Sequence, residues 1–197
     1  YRVARTADVV AARGIAGLYT ASLFAFDRRF DAYLKDGLEL GRSFVTPEYW
    51  GSRSLDYLWC GIGAYLRRYP TLRYLFGTVS ISADLPNAAR DALVSYYDHF
   101  YGNRDGLARA SHPYPRVQSF THSELDAAAA FSVLKSNLAA LGARVPTLYK
   151  QYTELCEPGG AQFLAFGIDP NFQNAVDGLI LVDLTRLTPR KRQRYLA

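Results

Sequence analysis

Glu39-Leu40-Gly41-Arg42-Ser43 opens the stretch that decides the fold, ELGRSFVTPEYWGSRSLDYLWCGIGAYL at residues 39–66. The segment Leu38–Val45 predicts a strand that Thr46-Pro47 ends. A polar turn at 50–54 follows, and Ser54 is the expected N-cap of a helix that ends before Pro70. The helix is predicted from apolar residues recurring at i, i+3, i+4 and i+7: Leu55, Leu58, Trp59, Ile62, Tyr65, Leu66 and Tyr69.

The segments on either side alternate between strand and helix patterns. Strands are predicted at Tyr1–Thr6, Tyr74–Ile81, Gln162–Ile168 and Leu179–Asp183, and helices from Asp84-Pro86 to Gly102, from Ser123 to Gly142 and at Thr147–Cys156. Residues 7–37 are ambiguous, residues 103–122 are expected to be a long surface loop, and a basic tail closes the chain. This order predicts an α/β or α+β fold.

Composition narrows the class of protein. A length of 197 residues with 49% hydrophobic residues fits one globular domain, expected to span residues 1–197. No apolar run is long enough to cross a bilayer. Cys60 and Cys156 stand apart, and His99, His112 and His122 lack the spacing of metal ligands, so we expect no disulfide and no zinc site. The net charge of +5 favours acidic partners.

The sequence contains no methionine and begins at Tyr1, already within a strand-like pattern. A protein in its natural form normally begins with methionine or with a processed leader. We therefore expect the chain to be the C-terminal portion of a longer protein, lacking the first elements of its domain.

The strand, turn and helix around residues 39–69 could bind a phosphate. A helix N-terminus presents free backbone N–H groups and the positive end of a dipole, and Arg53 adds a formal charge there. Most junctions of this shape bind nothing, so the residues alone leave both interpretations open.

The same stretch resembles the central motif of the GNAT acyltransferase superfamily, in which a strand, a pyrophosphate loop and a long helix follow one another. ELGRS at 39–43, FGTVSIS at 76–82 and DGLILVDL at 177–184 resemble the bacterial hemolysin-like N-acyltransferases. That group includes ornithine-lipid synthases and long-chain N-acyl amino acid synthases and is related to acyl-homoserine-lactone synthases. The resemblance implies a mixed, mostly antiparallel sheet flanked by helices, in a cytoplasmic enzyme or one peripheral to the inner membrane.

The resemblance also implies a reaction and its partners. Such enzymes move a long-chain fatty acyl group, plain or 3-hydroxylated, from acyl carrier protein to the α-amine of an amino acid, giving an N-acyl amino acid or a lyso-aminolipid. The donor group is acyl-phosphopantetheine, with coenzyme A the less favoured donor, and no cofactor is permanently bound. Ornithine is the first expected acceptor, followed by glycine, lysine and tyrosine. Contact with an anionic membrane is a further expectation, and nucleic acid is not expected as a partner.

The resemblance assigns the loop residues to the donor. Val45, Trp50, Gly51, Ser52, Arg53 and Ser54 correspond to the segment that holds the pantetheine and its phosphate. The two later glycines of the family loop are replaced here, which removes the close backbone approach that a pyrophosphate needs. A carrier-protein donor, whose arm carries one phosphate, therefore fits better than coenzyme A.

The reaction gives roles to three more residues. Glu39 is the expected base that takes the proton of the attacking amine, directly or through water. Arg42 is expected to hold either Glu39 or the carboxylate of the acceptor, and placing both residues in one site requires a bulge in the strand. Tyr97 is the expected proton donor to the leaving thiolate, with Tyr96 or Asp98 as register alternatives.

Two other functions compete with this hypothesis. An O-acyltransferase acting on a lysolipid would normally carry a histidine with an aspartate five residues later, and no histidine of this chain has one. A non-catalytic module that docks a carrier protein or a membrane for a larger enzyme stays open, because the acceptor-binding elements would be partly absent.

Overall fold

A computed structural model describes residues 1–115 and 125–197. The strands are β1 (Arg2–Arg5), β2 (Phe24–Phe26), β3 (Gly37–Gly41), β4 (Tyr74–Ile81), β5 (Ala108–Ala110), β6 (Ala161–Asp169) and β7 (Ala175–Asp183). The helices are α1 (Thr6–Arg13), α2 (Asp31–Leu34), α3 (Ser54–Arg68), α4 (Asn87–Tyr101), α5 (Ala127–Ala140), α6 (Thr147–Thr153) and α7 (Pro189–Leu196). His122 and the predicted helix start at Ser123 lie outside the described residues.

The main sheet has the order β1-β3-β4-β7-β6, and β2 pairs with β5 in a separate two-stranded sheet. Only β3 and β4 run parallel, and each other neighbouring pair is antiparallel. The right-handed crossover that a parallel pair needs is supplied by α3. The predicted mixed, mostly antiparallel sheet flanked by helices is confirmed.

Successive side chains along each strand point to opposite faces of the sheet, so the hydrophobic core is divided between the two faces. Leu40, Val79 and Ile180 pack against α3, α4, α5 and α6 on what we call the helical face. Phe76 and Leu179 pack against residues from the segment 15–34 on what we call the N-terminal face. The segment that the sequence left ambiguous therefore packs on one face of the sheet, together with residues around β5.

Two strand predictions needed correction at the ends of the strands. The strand predicted over 38–45 stops at Gly41, because Arg42 adopts a left-handed φ of +52° that turns the chain out of the sheet. The last strand starts at Ala175 rather than Leu179, since Gln173 and Asn174, with φ of +53° and +57°, form the turn that precedes it.

Three helix and loop predictions also needed correction. Ser54 is the first helical residue of α3 rather than its cap. Its N–H donates a hydrogen bond to the Ser52 hydroxyl oxygen. The loop predicted over 103–122 contains β5, and the basic tail forms α7, which Thr188 caps through the N–H of Lys191. The Thr188-Pro189 pair is an ordinary helix-start signal.

Helix α7 is held on α3 by a close backbone approach. A β-carbon on Gly63 would lie 1.9 Å from the Tyr195 carbonyl oxygen, whereas one on Gly61, two residues earlier, would meet no atom within 4 Å. The Arg67 guanidinium donates to the same Tyr195 carbonyl at 3.0 Å.

We predict that Gly63→Ala lowers the free energy of unfolding by about 2 kcal/mol or more, because the α3–α7 contact must open. Gly61→Ala, on the exposed side of the same helix, should raise it by about 0.5–1 kcal/mol. Urea denaturation of both variants measures the difference. Equal effects at the two positions would contradict the close α3–α7 packing.

Candidate active site

The parallel strands β3 and β4 separate immediately after their closest contact. Their register runs from Gly37 opposite Tyr74 to Leu40 opposite Gly77, and a β-carbon on Gly77 would lie 2.0 Å from the Leu40 carbonyl oxygen. Strand β3 ends one residue later, while β4 continues to Ile81 paired only with β7 among the described strands. Beyond Gly77 no described strand pairs with β4 on the β3 side, and we call this opening in the sheet the gap.

Glu39 lies at the closed end of this gap, buried on the N-terminal face. Its Oε1 accepts hydrogen bonds from the Thr20 N–H at 2.8 Å and the Thr20 hydroxyl at 2.7 Å, and its Oε2 accepts from the Tyr19 N–H at 3.1 Å. Glu39 therefore holds residues 19–20 in place. Its Oε2 accepts one hydrogen bond from the described residues.

Arg42 does not pair with Glu39 within the described chain. Its guanidinium is exposed and lies 6.0 Å from the centre of the Tyr19 ring, the residue whose N–H bonds Glu39. The expected strand bulge is absent from β3, and the left-handed backbone of Arg42 redirects the chain instead. Of the two partners that the sequence offered for Arg42, only an acceptor carboxylate stays open.

The donor-loop residues form a compact turn before α3. The Trp50 indole donates to the Val45 carbonyl at 2.8 Å, and the Ser52 and Ser54 hydroxyls are 2.6 Å apart. Gly51 has a φ of +73°, which a residue with a side chain rarely adopts. The turn brings the loop close to the N–H groups of the first turn of α3.

Arg53 is tied to the same turn of α3. Its guanidinium contacts the Asp56 carboxylate at 3.2 Å and lies 5.5 Å from the centre of the Tyr57 ring. Arg194 also bonds Asp56, and this hydrogen bond holds the pKa of the Asp56 carboxyl well below its usual range. The negative charge near the helix N-terminus is therefore balanced by two arginines.

Tyr97 lies on the helical face, opposite the face that carries Glu39. Its buried hydroxyl has no hydrogen-bond partner among the described residues, and burial raises its pKa, so it stays protonated. Its ring packs 4.9 Å from that of Tyr149, whose hydroxyl donates to the Val79 carbonyl in the half of β4 beyond the gap. Tyr96, the register alternative, donates instead to the Ala127 carbonyl at 3.0 Å.

The sequence analysis missed two buried carboxylates on the Glu39 face of the sheet. Asp177 accepts a 2.5 Å hydrogen bond from the Ser80 hydroxyl, and burial raises its pKa to about 6. Asp169, also buried, accepts from the Asn171 N–H at 2.9 Å and raises the Asp177 pKa further. The DGLILVDL motif contained Asp177, but only the strand register places it on this face.

Comparison with known proteins agrees with this geometry. Residues 1–60 match the family of acetyltransferase (GNAT) domains. No solved structure matches the chain.

The relatives of this chain carry names of N-acyltransferases. The chain is 26% identical over 194 residues to the glycine N(alpha)-acyltransferase of Bacteroides thetaiotaomicron, covering 91% of this chain and 56% of that protein. It is 29% identical over 158 residues to the L-ornithine N(alpha)-acyltransferase of Rhodobacter capsulatus, covering 80% of this chain and 54% of the relative. It is 42% identical over 62 residues to the L-ornithine N(alpha)-acyltransferase of Brucella abortus. That match covers 32% of this chain and 21% of the relative. The chain thus spans just over half the length of the relatives it matches most extensively.

We predict that Asp177 makes the folded chain less stable as the pH rises from about 4 to about 6. Its pKa in the folded state, about 6, is above the 3.8 of an unperturbed carboxyl. The folded state therefore binds the proton more tightly, and about 2–3 kcal/mol of stability is lost once the carboxyl ionises.

Urea denaturation at pH 4.5 and pH 7.5 measures this loss. Asp177→Asn keeps an oxygen for the Ser80 hydroxyl and removes the charge, so it should flatten the difference between the two pH values. An unchanged difference in the variant would assign the pH dependence to another group.

Proposed function

We propose that the chain is an N-acyltransferase that transfers a long-chain fatty acyl group from acyl carrier protein to the α-amine of an amino acid. The observation that carries the proposal is the position of Glu39 and Tyr97 on opposite faces of a sheet that opens between β3 and β4. The names of the relatives support N-acyl transfer and put glycine beside ornithine as acceptor.

The reaction has a proton to remove and a proton to supply. The amine nitrogen attacks the thioester carbonyl, the carbon–sulfur bond breaks, and the pantetheine thiolate leaves. We assign removal of the amine proton to Glu39 Oε2, through a water molecule, because hydrogen bonds from residues 19–20 fix the carboxylate at the closed end of the gap. We assign the proton for the thiolate to the Tyr97 hydroxyl, which burial keeps protonated and which lacks a described partner.

The donor loop fits one phosphate better than two. The Ser52 and Ser54 hydroxyls are hydrogen-bonded to each other, and Ser52 also bonds the loop backbone. The groups left to bind a phosphate are chiefly the N–H groups of the first turn of α3 and the Arg53 charge. A net charge of +5 would speed the approach of an acidic carrier protein. Both features favour acyl-phosphopantetheine on a carrier protein as donor.

We predict that Glu39→Gln lowers kcat by at least about a hundredfold, the usual contribution of a positioned base. The assay mixes the protein, labelled palmitoyl-carrier protein and amino acids, and detects N-acyl products by mass spectrometry. Binding of the carrier protein should be unchanged in the variant. Undiminished turnover would remove Glu39 from this role.

Two further variants separate catalysis from structure. Thr20→Val removes one hydrogen bond to Glu39 Oε1 and tests whether loosening residues 19–20 is enough to lose activity. Glu157→Gln removes an exposed carboxylate near the start of β6, at the far end of the sheet, and should be active. If wild-type protein binds carrier protein but turns over no donor, the non-catalytic docking module is the better function.

We predict that Arg42 binds the acceptor carboxylate. Arg42→Asn removes the charge at a backbone position that asparagine tolerates, and it should raise the KM for the amino acid about tenfold to a hundredfold with a smaller change in kcat. Wild-type enzyme should discriminate against the methyl ester of the amino acid, and the variant should not. Equal discrimination by both proteins would contradict the assignment.

A further inference from the structure

An exposed cluster of aromatic side chains surrounds the start of α3. Phe44 is 73% exposed, Trp50 71% and Tyr57 63%, and Tyr49 is also exposed. Large aromatic residues scattered singly on a surface need no explanation, but four within 14 residues of chain form a patch. We call Phe44, Tyr49, Trp50 and Tyr57 the aromatic patch.

The two helices beside the aromatic patch are strongly basic. Together α3 and α7 carry one carboxylate, Asp56, and six cationic side chains: Arg67, Arg68, Arg190, Lys191, Arg192 and Arg194. Asp56 is already neutralised, because Arg194 Nε donates to it at 2.8 Å and Arg53 contacts it at 3.2 Å. The surface therefore has a surplus of positive charge.

The aromatic patch and α7 are connected at the first turn of α3. Arg53 links them, because its guanidinium contacts Asp56 on the α7 side and lies over the Tyr57 ring on the other. Asp56 is in turn bonded by Arg194 and by the Tyr195 hydroxyl of α7. The close contact between Gly63 and Tyr195 fixes α7 in this position.

We propose that the aromatic patch and the basic faces of α3 and α7 bind the surface of an anionic lipid bilayer. Tryptophan and tyrosine partition to the interface between hydrocarbon and water, and each lysine or arginine near an anionic leaflet adds about 1 kcal/mol of binding free energy. An acidic protein would satisfy the charges, but it would leave unexplained why Phe44 and Trp50 extend into solvent.

This inference goes beyond the proposed reaction, since binding to vesicles needs neither acyl donor nor acceptor. Loss of turnover and loss of vesicle binding are therefore separate outcomes. No helix in the described part of the chain is long and apolar enough to cross a membrane, so the binding proposed here is to the surface.

The two tryptophans make the test direct. Trp59 is 3% exposed and Trp50 is 71% exposed, so a change in tryptophan emission reports chiefly on Trp50. We expect a blue shift on adding vesicles of phosphatidylcholine with about one third phosphatidylglycerol, at least about tenfold weaker binding to pure phosphatidylcholine, and quenching by brominated phosphatidylglycerol. Trp50→Phe should lose the signal and still sediment with the vesicles.

Matched variants test the two parts of the surface. Phe44→Ser with Tyr57→Ser should weaken vesicle binding about tenfold, whereas Phe172→Ser, which changes a 58% exposed aromatic residue in the β6–β7 turn, should not. Arg68→Gln with Arg190→Gln should weaken it about tenfold to thirtyfold, and Arg28→Gln with Arg144→Gln, exposed cations elsewhere, much less.

Three outcomes would overturn the proposal. They are equal binding to neutral and anionic vesicles, equal losses in the matched controls, and absence of quenching by brominated lipid. If the aromatic and basic variants instead lose binding to acyl carrier protein while vesicle binding is unchanged, the surface serves the carrier protein and not a bilayer.

Discussion

The close approach of β3 and β4 at Leu40 and Gly77 is the constraint on which the rest of the structure depends. The Leu40 carbonyl occupies the space that a β-carbon at residue 77 would need, so the two parallel strands are in close contact at the last pair of their register. Arg42 then turns β3 out of the sheet through a left-handed backbone. A sheet that closes fully at one point and opens at the next presents backbone and side chains from both faces to one place.

This opening separates the two halves of the proposed chemistry. On the N-terminal face, Glu39 and Asp177 provide carboxylates, and on the helical face Tyr97 provides a protonated hydroxyl. The sheet lies between the two groups, and the proposed reaction needs the thioester to approach both of them at the end of β3.

The elements with strong periodicity could be predicted from the sequence, and the contacts of the site could not. Strand β4 and helix α3 lie where the apolar run and the apolar stripe predict them. The partners of Glu39 were missed because Tyr19 and Thr20 belong to a segment without helical or strand period. The left-handed Arg42 was missed because local sequence rarely specifies that conformation outside glycine and asparagine.

The charge of the basic tail illustrates the same limit. From the sequence alone, its arginines are expected to be exposed to solvent, and their number indicates only that acidic partners are favoured. In the structure the tail is a helix whose arginines divide into two groups. Arg192 and Arg194 bond the Leu184 carbonyl and Asp56 and so hold α7 in place, whereas Arg190 is exposed. Net charge therefore overstates what is free for a partner, because part of the positive charge of α7 is used to hold the helix in place.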